Sequence, residues 1–105
     1  MLKLKDLYRY KADIILNGHN HLYERYFPMD PNGNPAADGL REFVVGTGGA
    51  FLDPPLLPPD ATEMVRNSTA FGYLKLTLFE DSYAWRFVAQ PGRSFSDSGS
   101  ADCHK

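Results

Sequence analysis

Hydrophobic and polar positions alternate most regularly in the last third of the chain. Three leucines and then three aromatic residues occupy every second position, namely Leu74, Leu76, Leu78, Tyr83, Trp85 and Phe87. A period of two is typical of β-strands. Because only the short segment Glu80–Ser82 separates the two runs, the pattern predicts an antiparallel hairpin. Its leucine face and its aromatic face are expected to share one core.

The first part of the chain has a different pattern. Between Lys3 and Lys11, apolar side chains fall at helical spacing at Leu4, Leu7 and Tyr8, which predicts a short amphipathic helix. The next segment, Ala12–Asn17, contains a continuous apolar run, which predicts a strand covered on both faces. A helix followed directly by a buried strand favours an α/β arrangement.

Two further segments complete the predicted order of elements. Arg41–Thr47 holds three consecutive apolar residues and leads into Gly46–Gly49, so we expect a buried strand that ends in a glycine-rich bend. Met29–Pro35 contains two prolines and an Asn-Gly pair, which predicts a turn. Together these elements predict an α/β protein, or α+β as an isolated piece, with one N-terminal helix followed by a β-rich half.

Two segments are predicted to lack regular structure. Asp53–Asp60 carries four prolines, which remove backbone donors, so we expect a surface excursion. From Gly92 onward serine, glycine and aspartate dominate. We therefore expect one domain over residues 1–92 and a flexible tail over residues 93–105.

Composition and charge exclude some functions. The net charge is −2 and the 11 Lys and Arg residues are scattered, so no nucleic-acid partner is expected. No apolar run approaches the roughly 20 residues of a membrane helix, so no membrane partner is expected either. The N-terminus lacks the apolar core of a secretion signal. The single cysteine, Cys103, is either an unpaired thiol without a role or the partner of a cysteine upstream.

The segment Gly18-His19-Asn20-His21 holds the candidate chemistry. In an extended segment, residues two apart project to the same side, so His19 and His21 are expected to present both imidazoles to one volume. Imidazole is the commonest metal ligand in proteins. The spacing alone leaves open a second interpretation, in which these are two surface histidines.

The surrounding residues resemble a known family. Gly18–Arg25 reads Gly-His-Asn-His-Leu-Tyr-Glu-Arg after a predicted strand, and this block is similar to the last metal-binding block of calcineurin-like metallophosphoesterases, purple acid phosphatases in particular. Arg41–Gly49 and Asp97–Ser100, with Cys103-His104 after it, resemble bacterial secreted members. The resemblance implies the C-terminal part of a metallophosphoesterase β-sandwich, and secretion or a periplasmic location.

The resemblance also implies roles for individual residues. His19 would bind one metal ion and His21 the other, in a two-ion site of iron, zinc or manganese that cleaves phosphate esters with a metal-bound hydroxide. Tyr23, Glu24 and Arg25 would support the ligands from behind, for example through a hydrogen bond from a histidine ring to Glu24. Arg25 could instead form an ordinary salt bridge with Glu24. Gly18 would be the small residue that lets the strand bend.

The remaining ligand blocks of that family, Asp-x-His, Gly-Asp-x-x-Asp or Gly-Asp-x-x-Tyr, and Gly-Asn-His, do not occur in this sequence. Two histidines are fewer ligands than a catalytic metal site needs. We therefore expect weak or no metal binding and little hydrolase activity from this chain alone, with the upstream part of the same domain completing the site. The alternative is a small β-rich binding or structural module whose His-x-His pair binds a metal ion incidentally.

Overall fold

The computed structural model describes residues 4–54, 58–59 and 61–104 as a β-rich α+β protein. The elements are α1 (Leu4–Arg9), β1 (Ile14–Asn17), β2 (Tyr23–Tyr26), β3 (Arg41–Val45), β4 (Glu63–Asn67), β5 (Gly72–Leu78), β6 (Ser82–Ala89) and β7 (Asp97–Asp102). Within these residues the strands form two sheets, with orders β1-β3-β2-β4 and β5-β6-β7. The α+β class predicted for the isolated piece is confirmed.

Helix α1 lies within the predicted Lys3–Lys11 segment, although Lys3 is outside the described residues. Its end is a Schellman motif, in which the Ala12 N–H donates to the Leu7 carbonyl and the Lys11 N–H donates to the Tyr8 carbonyl. Lys11 takes the left-handed conformation, with φ of 61°. The Tyr8 hydroxyl donates to Asp38, which ties the helix to the segment before β3.

In the first sheet, β1 pairs with β3 in parallel, and β2 pairs with β3 and β4 in antiparallel fashion. The prediction that β1 is covered on both faces is wrong for this chain, because Leu16 is 53% exposed. The physical reason is its position. β1 is an edge strand of the sheet, so within the described residues only β3 lies beside it.

The second sheet contains the predicted hairpin. β5 and β6 pair in antiparallel fashion, with Leu74 opposite Phe87 and Leu76 opposite Trp85, so this prediction is confirmed. Leu74 and Leu76 pack against the core as expected, whereas Leu78 is 73% exposed. The leucine face is therefore only partly covered.

The prediction of a flexible tail over residues 93–105 is wrong for Asp97–Asp102, which forms β7 and pairs with β6. The segment has no apolar alternation, so its sequence gives no strand signal. Its place is determined by the ladder with β6 and by side-chain contacts of Asp97. At Gly99, a Cβ atom would lie 2.4 Å from the Trp85 ring, so glycine lets β7 run close to that side chain.

The core lies between the two sheets and is mainly aromatic. Its buried members are Tyr23, Phe43, Ala70, Tyr83, Trp85 and Phe87. Trp85 is 6% exposed, which confirms the expectation that its strand face belongs to the core. The guanidinium groups of Arg25 and Arg41 lie 5.1 and 4.8 Å from the centre of the Trp85 ring, so two cations are also held in this layer.

Two loops connect these elements. Met29–Pro35 is a turn, as predicted, in which the Asp30 carboxylate accepts hydrogen bonds from the backbone N–H groups of Asn32 and Asn34. The predicted excursion Asp53–Asp60 lies partly outside the described residues, at 55–57 and 60. Asp53 itself is described and contacts the histidine segment.

Candidate functional site

The His19-Asn20-His21 segment lies between the end of β1 and the start of β2. The prediction of an extended segment is wrong, because residues 19–22 form bends. The Leu22 N–H donates to the Asn20 carbonyl at 2.9 Å, which closes a tight turn at this point. The two imidazoles have different environments, since His19 is exposed and His21 is half-buried.

His21 is held from both sides of its backbone by Asp53. The His21 N–H donates to the Asp53 carboxylate at 3.0 Å, and the Asp53 N–H donates to the His21 carbonyl at 2.8 Å. The imidazole ring packs against Phe51, with 4.4 Å between the ring centres. Its Nδ1 atom is buried and has no hydrogen-bond partner among the described residues. A buried polar atom without a partner is costly, so this nitrogen is suited to an additional ligand or donor.

Sequence reasoning missed Phe51 and Asp53. Asp53 begins the proline-rich excursion, for which the pattern indicated only a surface loop, and Phe51 lies two residues before it. An aspartate beside a proline gives no signal for a contact with a residue 32 positions away. Only the fold brings the two segments together.

Gly46 determines how closely the end of β3 approaches the histidine turn. Its N–H donates to the Leu22 carbonyl at 3.0 Å, and a Cβ atom at Gly46 would lie 2.0 Å from the Asn20 carbonyl oxygen. At Gly18, by contrast, a Cβ atom would lie 3.4 Å from the Val45 carbonyl, which is ordinary contact. The steric need for glycine is therefore at Gly46, whereas the resemblance pointed to Gly18.

The histidine turn lies at one end of the first sheet. Because β1 and β3 are parallel, their carboxyl ends meet there, and the loops that follow them are neighbours. Thr47, at the end of β3, is fully buried, and its hydroxyl donates to the Gly72 carbonyl at 2.9 Å. The Gly72 N–H donates in return to the Thr47 carbonyl. This pair fixes the glycine-rich bend against the second sheet.

Tyr23 and Arg25 contact Asp97 on β7. The Tyr23 hydroxyl donates to Asp97 at 2.6 Å, and Arg25 donates to both carboxylate oxygens of Asp97 at 2.8 and 3.2 Å. Burial and the hydrogen bond to Asp97 raise the pKa of the Tyr23 phenol. These two residues therefore connect the two sheets.

Glu24 lies on the opposite face of β2, because adjacent residues of a strand point to opposite sides. It is buried, it accepts a hydrogen bond from the Tyr26 hydroxyl at 3.0 Å, and it lies 3.8 Å from the Arg66 guanidinium. Burial and a hydrogen bond to Glu63 raise the pKa of the Glu24 carboxyl to about 7. The alternative of a salt bridge between Glu24 and Arg25 is wrong, because the two side chains have separate partners.

The described hydrogen bonds do not join Tyr23, Glu24 or Arg25 to either histidine of the pair. The third histidine, His104, is used elsewhere. Its backbone N–H donates to Asp13 at 2.7 Å, and its Nε2 lies 2.7 Å from the Gly39 carbonyl oxygen. His104 therefore fastens the segment after β7 beside the start of β1.

The residues present fit a metal ion only in part. An exposed imidazole and a second imidazole with a buried, unpartnered nitrogen are donors that a metal ion accepts. Among the described residues, however, no group of three or more His, Cys, Asp or Glu side chains is placed to hold one. Catalytic zinc sites, for comparison, take three protein ligands.

Comparison with family models, with curated proteins and with solved structures finds no significant match to this chain. In the described part of the chain, the six residues of α1 make a helix too short to cross a membrane. The fold and the site therefore define a class in coarse terms: a two-sheet, β-rich α+β protein with a histidine turn at the end of a parallel strand pair.

Proposed function

We propose that this chain is the C-terminal part of a dinuclear-metal phosphoesterase of the calcineurin-like, purple-acid-phosphatase-like class. One observation carries the proposal: the His19-Asn20-His21 turn follows β1 at the edge where the parallel neighbour β3 also ends. In open sheets with parallel strands, ligands bind outside the carboxyl ends of the strands. The predicted ligands therefore lie where this kind of sheet places a functional site.

In this proposal His19 binds one ion and His21 the other. Asp53 fixes the backbone of His21, Phe51 supports its ring, and Gly46 allows β3 to end against the turn. The bound ions would supply Lewis-acid activation of water and of the phosphate ester. Since the described residues offer two imidazoles for two ions, the other ligands come from a further part of the polypeptide.

A second candidate function is a small β-rich module whose histidine pair binds a metal ion incidentally. The observation that favours it is that, within the described residues, no group of three or more His, Cys, Asp or Glu side chains is placed to hold a metal ion. The two candidates differ in what happens when further ligands are supplied. Only the phosphoesterase then gains activity.

The first experiment uses cobalt(II) as a spectroscopic probe on the chain itself. We expect weak binding that is reduced in His19→Ala and in His21→Ala, since each variant keeps one imidazole. Binding should be retained in the matched control His104→Ala, because His104 is held by Asp13 and Gly39. Cobalt binding that is unchanged in both His19→Ala and His21→Ala would remove the ligand assignment.

The second experiment measures hydrolysis of p-nitrophenyl phosphate with iron, zinc or manganese. We expect no turnover from this chain, and turnover from a longer polypeptide that also carries Asp-x-His and Gly-Asn-His blocks. His19→Ala in that polypeptide should lower the rate by orders of magnitude. A rate that is insensitive to His19→Ala would leave only the binding module.

A further inference from the structure

The outer edge of β5 offers backbone hydrogen-bonding groups at alternate positions. The Gln90 N–H donates to the Phe71 carbonyl, and the Phe79 N–H donates to the Ser82 carbonyl, so the backbone groups of residues 71 and 79 face β6. Since the direction of the backbone groups alternates along a strand, the N–H and C=O groups of the even-numbered residues of β5 face away from β6. At Gly72 these outward groups are bonded to Thr47. The groups of Leu74, Leu76 and Leu78 have no strand beside them in the described part of the chain.

β5 carries only one of the features that usually prevent edge strands from pairing with other molecules. Natural edge strands are shortened or carry lysine, proline, bulges or inward-pointing charges. β5 has seven residues and contains no proline, and its one charged residue, Lys75, lies on the exposed outer face. β5 is therefore able to accept a further strand.

Apolar surface lies next to the open edge. An open groove of about 410 Å³ runs between β5 and β1 and is lined in part by Leu16, Val45, Leu74 and Leu76. Tyr73, Leu78 and Phe79 are 59%, 73% and 59% exposed. A strand added at β5 would direct every second side chain into this groove, and would cover Leu16.

We propose that the occupant is β5 of a second copy of this chain, paired in antiparallel fashion about a two-fold axis at Leu76. This register is self-complementary. It forms hydrogen-bonded pairs between Leu76 and Leu76 and between Leu74 and Leu78, whose backbone groups face no other strand among the described residues. It also places exposed Tyr73 opposite exposed Phe79, and exposed Leu78 opposite Leu74, which lines the groove.

Charge disfavours one neighbouring register. A two-fold axis at Leu76 places Lys75 opposite Thr77 of the second copy, whereas an axis at Lys75 would place two lysines opposite each other, which is destabilising. The resulting dimer has a continuous six-stranded sheet. The inference is independent of metal binding and goes beyond the proposed function.

The test measures the monomer–dimer equilibrium by sedimentation velocity for the wild-type chain and two variants at one exposed position. Thr77→Lys puts two lysine pairs across the interface. It should raise the dissociation constant of the dimer about threefold per pair, roughly tenfold in all. Thr77→Glu puts Glu opposite Lys75 and should strengthen the dimer by a similar factor, more so at low salt. Circular dichroism checks that both variants keep the fold.

The matched controls are Ser100→Lys and Ser100→Glu, which change an exposed residue of β7 in the same sheet. We expect both to dimerise like the wild type. If the two-fold axis lies at Thr77 instead of Leu76, both Thr77 variants will dimerise more weakly than the wild type. That result would overturn the proposed register. A chain that stays monomeric at every concentration would overturn the dimer and leave the edge to a different polypeptide, and equal effects at Ser100 and Thr77 would place the interface elsewhere.

Discussion

Arg25 on β2 and Asp97 on β7 form a two-point ion pair, with distances of 2.8 and 3.2 Å between their nitrogen and oxygen atoms. The pair joins the two sheets, and 12% and 9% of the two side chains is exposed. Arg25 also lies over the Trp85 ring, so its position is fixed by the core as well as by the carboxylate. The segment after β6 is thereby anchored to the strand that follows the histidine turn.

Asp97→Ala should destabilise the protein strongly. The change leaves the Arg25 guanidinium without its carboxylate in a mostly buried position and also removes the acceptor of the Tyr23 hydroxyl. Breaking a buried ion pair from one side costs about 3 kcal/mol. Urea unfolding measures the loss, with Asp102→Ala on the exposed end of the same strand as the control. Equal losses for the two variants would show that the pair contributes nothing of its own.

Glu24→Gln should make stability less dependent on pH. Burial and Glu63 raise the pKa of Glu24 from 4.5 to about 7, so the folded state holds a proton that the unfolded state releases between these values. Stability therefore falls as the pH rises through this window. Above pH 7 the loss in the free energy of unfolding is complete and amounts to about 2 kcal/mol.

Glutamine resembles the protonated acid and can keep the bond from Tyr26. We expect Glu24→Gln to match the wild type near pH 4.5 and to exceed its stability at pH 8. Urea unfolding across this range is the measurement, and Glu80→Gln in the exposed hairpin turn is the control. A wild-type protein whose stability rises with pH across the window would contradict the prediction.

Lys11→Gly should stabilise the end of α1. Lys11 has φ of 61°, a conformation that costs a side-chain-bearing residue roughly 1 kcal/mol and costs glycine little. We expect a gain of about 0.5–1 kcal/mol in the free energy of unfolding. Lys5→Gly, inside the same helix, should instead lose about 1 kcal/mol. Thermal unfolding of both variants gives the comparison, and changes of the same sign would be inconsistent with the Schellman end.

The parts of the fold that the sequence predicted are those with a local apolar period. The β5–β6 hairpin was found because its leucines and aromatic residues face one core. β2 was missed because its sequence, Tyr-Glu-Arg-Tyr, contains two charged residues. Their charges are satisfied by Arg66 and by Asp97, far along the chain, so no local pattern reveals that this strand is buried.

The candidate site was predicted to a similar extent. The sequence located the histidine pair at the end of β1, because a continuous apolar run followed by glycine is a local signal. It did not reveal the bend at residues 19–22. It also did not reveal the contacts from Asp53 and Gly46, because these residues are more than 20 positions away along the chain. The supporting roles of Tyr23 and Arg25 were predicted from the family resemblance, whereas strand geometry directs both side chains to Asp97.

Gly46→Ala tests whether β3 positions the histidine turn. The added Cβ atom would lie 2.0 Å from the Asn20 carbonyl oxygen and 2.7 Å from the Gly18 carbonyl oxygen, and both are backbone atoms that cannot rotate away. The turn must then move away from β3, at a cost of about 3 kcal/mol, the upper part of the usual range for overpacking. Urea unfolding measures this cost, and NMR shifts of the His19 and His21 rings report the displacement.

Gly48→Ala is the matched control for this change. It lies two residues further along the same bend, where a Cβ atom would meet no heavy atom within 4 Å. We expect a change in stability within about 0.5 kcal/mol and unaltered histidine signals. If Gly46→Ala behaves like Gly48→Ala, the end of β3 does not hold the turn. The two imidazoles would then be placed by β1, Asp53 and Phe51 alone.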